Sequence, residues 1–530
     1  MKIFKITFLL ILGAFSNIYT QDFWEKTTGL ETVKIYSLAI NSSGDIFAGT
    51  DSNGVFRSTD NGSSWTNLGI MNYDIYSIAI NSNDDIFVAT YLWGGIYRST
   101  DNGNNWDSLG LTLFDKSIAI NNINGYIFVG TGALGCWRTT DNGDTWEEIN
   151  NGMTASYVSS FIINSSGHIF AGTYFNSSIA GSGGVYRSSD NGGNWVQINT
   201  GLSNLDILSL AINSSGHIFA GTTVGGAFRS TDNGNNWVEI NQGLTSEGLW
   251  VRSLAINSNG DIFAGGDGVF RSSDNGANWV QINQGLTNPY THSLSINSNG
   301  DVFAGTEGGI FRSIPSANIK VFLQGPYVSG SMSTTLNASG YIPEDQPYNT
   351  APWNYNGGEA VTSIPAGVVD WVLLELRSDF TTQVSRRAAF LLSDGSVVDL
   401  DGVSSVKFPT VTPGDYYVVI RHRNHLAVMT ADKVTLSGLP TLYDMSSDLL
   451  KAYGTNAMKD LGGGAFGLYT GDGNRDGFVT STDFNIFNPK FTSAASGYEY
   501  SDWNLDGLVT STDFNFFNPN FTTAKQTFVP

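Results

Sequence analysis

Two stretches near the C-terminus carry oxygen side chains at a spacing that would hold a hard cation. Asp472-Gly473-Asn474-Arg475-Asp476-Gly477 leads to Asp483, and Asp502-Trp503-Asn504-Leu505-Asp506-Gly507 leads to Asp513. In each, oxygen side chains fill positions 1, 3, 5 and 12, and glycine at position 6 permits the sharp bend such a loop needs. Phe478 and Leu508 would add backbone carbonyls, while Thr480 and Thr510 hold the position often filled through water. The competing reading is a pair of solvated acidic turns. Two copies thirty residues apart favour calcium, so two bound Ca2+ ions are expected. His422 and His425 are weaker candidates, because residues three apart on a strand point to opposite faces. Cys136 is the only cysteine, so no internal disulfide can form. It occupies the slot of Val55 in the first repeat and is expected to be buried apolar filler.

A second group of residues could hold a ligand by stacking. Tyr73, Tyr91, Trp93, Phe114, Tyr174, Phe175, Trp250 and Tyr290 fall in loops rather than in strands. Tyr91-Leu92-Trp93 stands where the first repeat has Asp51-Ser52-Asn53, so the packing of the repeat does not demand it. Exposed aromatic rings stack on sugars or grip a polypeptide; alternatively they pack on one another as loop cores. Tyr91, Trp93, Tyr174, Phe175, Trp250 and Tyr290 are the candidate ligand residues. Asp51, Asp74, Asp115, Asp206, Glu247, Asp267 and Glu307 lie in the same loops. A glycosidase needs two carboxylates flanking the bond, and the sequence does not say whether any two are so placed. Binding is therefore the first reading, and polysaccharide hydrolysis the second.

The elements that carry these loops repeat. YSLAINSSGDIFAGTDSNGVFRSTDNGSSWTNLG begins at Tyr36 and recurs from Tyr76, Lys116, Tyr157, Ile207, Val251 and Thr291. Each copy reads as four short strands joined by Asn-Gly, Ser-Gly and Gly-Gly turns, which is the pattern of a propeller blade. The seventh copy stops at Ile314-Pro315, before its tryptophan strand. Trp24-Glu25-Lys26-Thr27-Thr28-Gly29-Leu30 matches that strand with one residue fewer. The N-terminal segment is thus predicted to complete the last blade and close a seven-bladed ring, leaving no open edge. In such a ring the loops between strands two and three share a face with the connections between blades. The candidate aromatics and acids all fall on that face.

Ser58-Thr59-Asp60-Asn61-Gly62-Ser63-Ser64-Trp65 has the form Ser/Thr-x-Asp-x-Gly-x-x-Trp, and five further copies end at Trp106, Trp146, Trp195, Trp237 and Trp279. Residues 22–316 therefore resemble the Asp-box propellers, which include sialidases, two-propeller xyloglucanases and photosystem assembly factors. The resemblance implies fold and not function, and it makes the box aspartates structural. Arg57, Arg98, Arg138, Arg187, Arg229, Arg271 and Arg312 recur once per blade and read as scaffold. The Arg-Ile-Pro signature of sialidases is missing ahead of the boxes, so sialidase activity is not expected. The xyloglucanases build their cleft between two propellers, and this chain has one.

From residue 317 to 469 the repeat gives way to alternating runs such as VDWVLLELRS and DYYVVIRHRNHLAVM, which suggest an antiparallel β-sandwich-like module. Residues 470–530 hold too few apolar side chains for an independent core. They resemble a type I dockerin, the duplicated calcium module that plugs into cohesin scaffolds. Ser481-Thr482 and Ser511-Thr512 stand where dockerins place recognition residues, so a cohesin-like partner is implied. Asn488-Pro489 and Asn518-Pro519 depart from that pattern and are expected to cut short the helix after each loop. The expected fold class is all-β: propeller, sandwich-like module, then a small pair of EF-hand-type loops.

The composition fits an extracellular setting. Residues 1–20 read as a signal peptide, with Lys2 and Lys5 before an apolar run from Ile6 to Phe15. That run is shorter than the ~20 residues a bilayer requires, and no later stretch is long and apolar enough to span. A formal charge of −21 argues against nucleic acid or an anionic membrane as partner. The sequence therefore reads as a secreted binding protein whose partner is an extracellular polysaccharide or a surface protein.

Overall fold

The structure, a computed structural model, describes residues 23–530 apart from 92–93, 113–114, 175–181 and 410. The signal peptide expected at 1–20 lies outside the described residues, as do Trp93, Phe114 and Phe175.

Seven four-stranded antiparallel sheets form a β-propeller. The first blade consists of Ile35–Ile40, Ile46–Thr50, Val55–Ser58 and Thr66–Asn67. First strands of successive blades touch around the ring, so they line the central channel. Second strands such as Ile46–Thr50, Ile86–Thr90 and Ile218–Thr222 are buried at every residue, because neighbouring blades cover both of their faces. Cys136 is fully buried in this scaffold, as its valine-like slot implied.

The seventh blade is assembled from both ends of the propeller. Thr291–Ile296, Val302–Thr306 and Gly309–Ser313 are joined by Trp24–Lys26, with Trp24 opposite Ser313 and Lys26 opposite Phe311. Trp24 is buried, and its Nε1 donates to the Ile282 carbonyl of blade six at 2.6 Å. Trp106, Trp146, Trp195, Trp237 and Trp279 each donate likewise to the outer strand of the preceding blade. Trp65 alone among these seven has its Nε1 buried without a partner. Its counterpart acceptor would be the carbonyl of Thr27, in the closing strand that is one residue short. The missing residue thus leaves its mark at the seam.

Two further devices hold the ring. The turn at Asp60 is fastened by its own side chains: Ser64 N–H and Ser58 Oγ each donate to Asp60 Oδ1 at 2.8 Å, and Gly62 N–H donates to Ser58 Oγ. Asn61 and Gly62 both take positive φ there, +57° and +88°, which their residue types tolerate. Arg57, Arg187, Arg229 and Arg312 then reach the carbonyl of the equivalent asparagine in the next blade, so these arginines are scaffold. A ring of serines ties the first strands together. Ser37, Ser117 and Ser209 donate to a carbonyl of the next blade, whereas Ser77, Ser160, Ser253 and Ser293 accept from its amide.

Ser316–Ala317 leaves the propeller and pairs with Val406–Lys407. The β-sandwich-like module that follows is built on an eight-stranded sheet centred on Val368–Arg377, Gln383–Leu392 and Gly414–Arg421. A smaller three-stranded sheet includes Phe322–Leu323 and Ala465–Leu468. Val368–Arg377 is buried throughout, and Trp371, Phe390 and Leu505 share its core.

Two expectations are corrected toward the C-terminus. The helices after the acidic loops are not cut short by proline: Ser481–Thr492 and Ser511–Thr522 each run 12 residues with Pro489 and Pro519 inside. The carbonyls those prolines leave without an intrahelical bond belong to Asn485 and Asn515, both exposed residues that face solvent. His422 and His425 meet rather than diverge, with ring centroids 4.7 Å apart. The strand ends at Arg421, so the alternation of faces no longer applies.

The core of the C-terminal segment is shared rather than independent. Phe491, Phe487, Trp503, Phe517 and Phe521 form one continuous stack with centroid spacings of 4.7–5.5 Å. Leu426 and Tyr469 of the preceding module join it, and in return Leu505 enters the core of the module.

Candidate functional site

The first strands begin on the face that carries the strand two–three loops, and all but that of blade six begin with a bulge. The bulged residue projects at the channel mouth and differs from blade to blade: Tyr36, Tyr76, Ser159, Leu208 and His292 among them. Tyr36 and Tyr76 stack at 4.5 Å, Tyr76 meets Tyr91 at 5.0 Å, and Tyr157 meets Tyr174 at 5.5 Å. Burial, then the neighbouring Tyr91, push the Tyr157 hydroxyl up to about 12. Burial likewise raises Tyr36 and Tyr76. These phenols are neutral hydrogen-bonding groups at physiological pH, set in a half-buried row across blades one, two and four.

The expected site residues divide accordingly. Tyr91 and Tyr174 belong to the tyrosine row. Trp250 and Tyr290, 37% and 48% exposed, lie on blades six and seven, with the Arg252 guanidinium 5.2 Å from the Trp250 ring. Trp93 and Phe175, and the side chains of Asp115 and Glu247, fall outside the described residues. Tyr36, Tyr76, Tyr157 and His292 escape a sequence reading, since they stand inside the repeat. For Tyr36, Tyr76 and His292 a signal exists: the residue just before a constant serine changes chemistry from copy to copy.

Among the described residues, the basic side chains at the mouth are paired. Lys34 meets Glu307 at 2.8 Å, His292 meets the same carboxylate at 3.4 Å, and Arg252 pairs with Asp267. Burial and then the Lys34 charge pull His292 below its ordinary value, so the imidazole is neutral at pH 7. Burial, and an Asp51 carboxyl in hydrogen-bonding contact, raise Asp74.

The two acidic loops are built as interlocked copies. Val479 N–H in the first loop donates to the carbonyl of Lys525, after the second helix. Val509 N–H in the second loop donates to Ala495, after the first helix, so each loop is finished by the other copy. Asp483 and Asp513 cap their helices: Oδ2 accepts from the N–H of Thr480 or Thr510 at 2.8 Å. Asn474 and Asn504 donate to Asp476 and Asp506, and the backbone of Phe478 and Leu508 forms isolated bridges. Asp472 is buried, yet its Oδ1 has no partner. Burial, then the nearby Asp483, push Asp472 up to about 7, and burial does the same to Asp502. Among the described residues no three His, Cys, Asp or Glu side chains close into a ready cluster. An orphaned carboxylate oxygen in a loop that also carries Asn474, Asp476 and Asp483 is nonetheless part of a donor set that suits a hard cation.

No protein-family model and no curated protein matches the chain. Solved structures resemble it at low identity. YCF48 from Cyanidioschyzon merolae aligns at TM-score 0.44 and 16% identity, over 55% of this chain and 98% of its own. The extracellular domain of the putative one component system BT4673 from B. thetaiotaomicron aligns at 0.46 and 18%, over 78% and 59%. A virginiamycin B lyase from Staphylococcus aureus aligns at 0.45 and 15%, over 55% and 97%. By its own sheet topology the chain is a β-propeller with a β-sandwich-like module.

Proposed function

We propose that this is a secreted binding protein of the Asp-box propeller type, whose channel mouth takes a neutral extracellular polysaccharide. The tyrosine row carries the reading. Tyr36, Tyr76, Tyr91, Tyr157 and Tyr174 offer flat apolar faces tipped with hydroxyls, and at the position of Tyr36 and Tyr76 the other blades hold lysine, serine, leucine, arginine and histidine. Sugar rings present C–H faces to stack and hydroxyls to bond. The carboxylates of Asp51 and Asp74 add acceptors, and Lys34 and Arg252 are paired, so neither is left to select an anion. The test is a glycan array on the full chain, followed by titration with the best neutral oligosaccharide. Tyr76→Ala is expected to weaken binding about tenfold at an unchanged melting temperature. A protein ligand instead of a glycan, or hydrolysis of the bound sugar, would overturn the assignment.

The reading extends to the tail, as a dockerin-like module that binds two calcium ions. Asp472, Asn474, Asp476 and Asp483 would hold the first with the Phe478 carbonyl; Asp502, Asn504, Asp506 and Asp513 would hold the second with that of Leu508. The cation supplies charge that lets the clustered carboxylates stay ionised. Ser481, Thr482, Ser511 and Thr512 are exposed, where a cohesin-like scaffold would reach them.

A further inference from the structure

At the junction of blade six with the sandwich-like module lies a groove of about 660 Å³, within the ~300–1,000 Å³ usual for small-ligand sites, which favour domain interfaces. We propose that it is a second saccharide site, independent of the channel mouth, for a short neutral segment of polysaccharide.

Five features lead to that ligand. The walls are rigid, since Ser316–Ala317 pairs with Val406–Lys407 and Ser316 bridges Ser437. The floor is apolar: Phe23, Ile282 and Leu439 are the outer surface of the blade-seven core, and Phe23 is held edge-on to Trp24 at 5.0 Å. Its lips are aliphatic, with Val280 and Val403 standing 65% and 81% exposed. The charges around it are already satisfied. Asp261 pairs with Arg271 and accepts from Asn257, while Asp401 accepts two backbone amides and Ser404 Oγ of its own turn. Lys407 is partnered as well. Among the described residues, the side-chain amides of Asn259, Gln284 and Asn318 remain without a protein hydrogen bond. An amide both donates and accepts, which matches a sugar hydroxyl, whereas the two acids and two bases of the lining leave an ionic ligand no net charge to meet. Apolar floor, free amides and cancelled charge together select a neutral, hydroxyl-rich ring.

The groove opens toward the face opposite the tyrosines, because Asn259 lies in the turn between strands one and two of its blade. One long polysaccharide, or two neighbouring chains, could then be held at both places with a gain from effective concentration.

The test is isothermal titration of the full chain with cellohexaose, laminarihexaose, mannohexaose and a xyloglucan heptasaccharide. At least one is expected to bind at two sites. Gln284→Ala with Asn318→Ala should remove one site, or weaken it about tenfold, at an unchanged melting temperature. Tyr76→Ala should affect only the other. If no probe binds, or if the double variant leaves stoichiometry and affinity unchanged, the groove is not a saccharide site. Loss of binding in Tyr76→Ala alone would overturn the groove and leave the mouth assignment standing. Binding lost only in the double variant would do the opposite.

Discussion

The propeller and the C-terminal tail are both internal repeats, but they close in different ways. Neighbouring blades are tied by arginines, serines and tryptophans that recur around the ring, and the ring needs only one borrowed strand to finish. The two tail copies instead finish each other, loop one with the segment after helix two and the reverse. A seven-fold ring tolerates divergence at a single position per blade, as Tyr36, Ser159, Leu208 and His292 demonstrate at the mouth. A two-fold pair has an axis that one side chain must fill. Trp503 fills it, and the equivalent position in the other copy is Gly473, where an added Cβ would sit 3.9 Å from the indole Nε1. New chemistry therefore enters where repeats are allowed to differ.

The sharpest way to break the comparison is at the seam. Deleting residues 23–31 removes the outer strand of blade seven and exposes Gly309–Ser313 as an edge. Lost burial of Trp24 alone is worth about 3–5 kcal/mol, so this truncation should unfold or aggregate the propeller below its normal transition. An unchanged calorimetric profile would show that the ring does not need its borrowed strand.

Trp503→Ala comes next, at about 3–5 kcal/mol, confined to the tail and the module it shares a core with. The propeller transition should be untouched. Because Leu426, Tyr469 and Leu505 cross between the two cores, the tail and module should melt as one unit. A tail fragment that folds alone as stably as in the full chain would contradict that.

Calcium should act on the same unit. Chelation leaves Asp472 and Asp502 buried beside other carboxylates, so the melting temperature of the module and tail should fall, and it should rise with calcium concentration by mass action. Asp472→Ala with Asp502→Ala should remove that dependence. A transition indifferent to both chelator and calcium would end the cation assignment.

Sequence and structure part company at particular residues. The blades, the borrowed strand and the structural arginines were legible, because a period of about forty residues repeats their neighbours as well as themselves. The tyrosine row was not, since a repeat-based reading discards the position that varies. The meeting of His422 with His425 depends on where a strand stops, which alternation cannot give. Pro489 and Pro519 misled because their cost is set by whether water reaches the carbonyl one turn back, a property of burial. The tail core was only half legible, since part of it comes from Leu426 and Tyr469 of the module before it.

The smallest effect expected is an acid one, and it sharpens the view of the turns as scaffold. Hydrogen bonds from the Thr145 side chain hold Asp141 down to about 2, and those from the Asn278 side chain do the same for Asp274. An aspartate in the unfolded chain titrates near ~3.9. A depressed folded value means the folded state holds the charged form more strongly. The stability this contributes is fully present above about pH 4, and is lost as pH falls toward 2. Both carboxylates face solvent, so each contribution is slight. Urea midpoints of the propeller transition should thus lose this contribution below about pH 4.5, after an earlier loss from His292, whose lowered value costs stability once the unfolded imidazole protonates. Asp141→Asn should lower the midpoint at neutral pH and flatten the decline by one group's share. If the variant titrates like the parent through the acid range, the turn aspartates do not stabilise the blades through their charge.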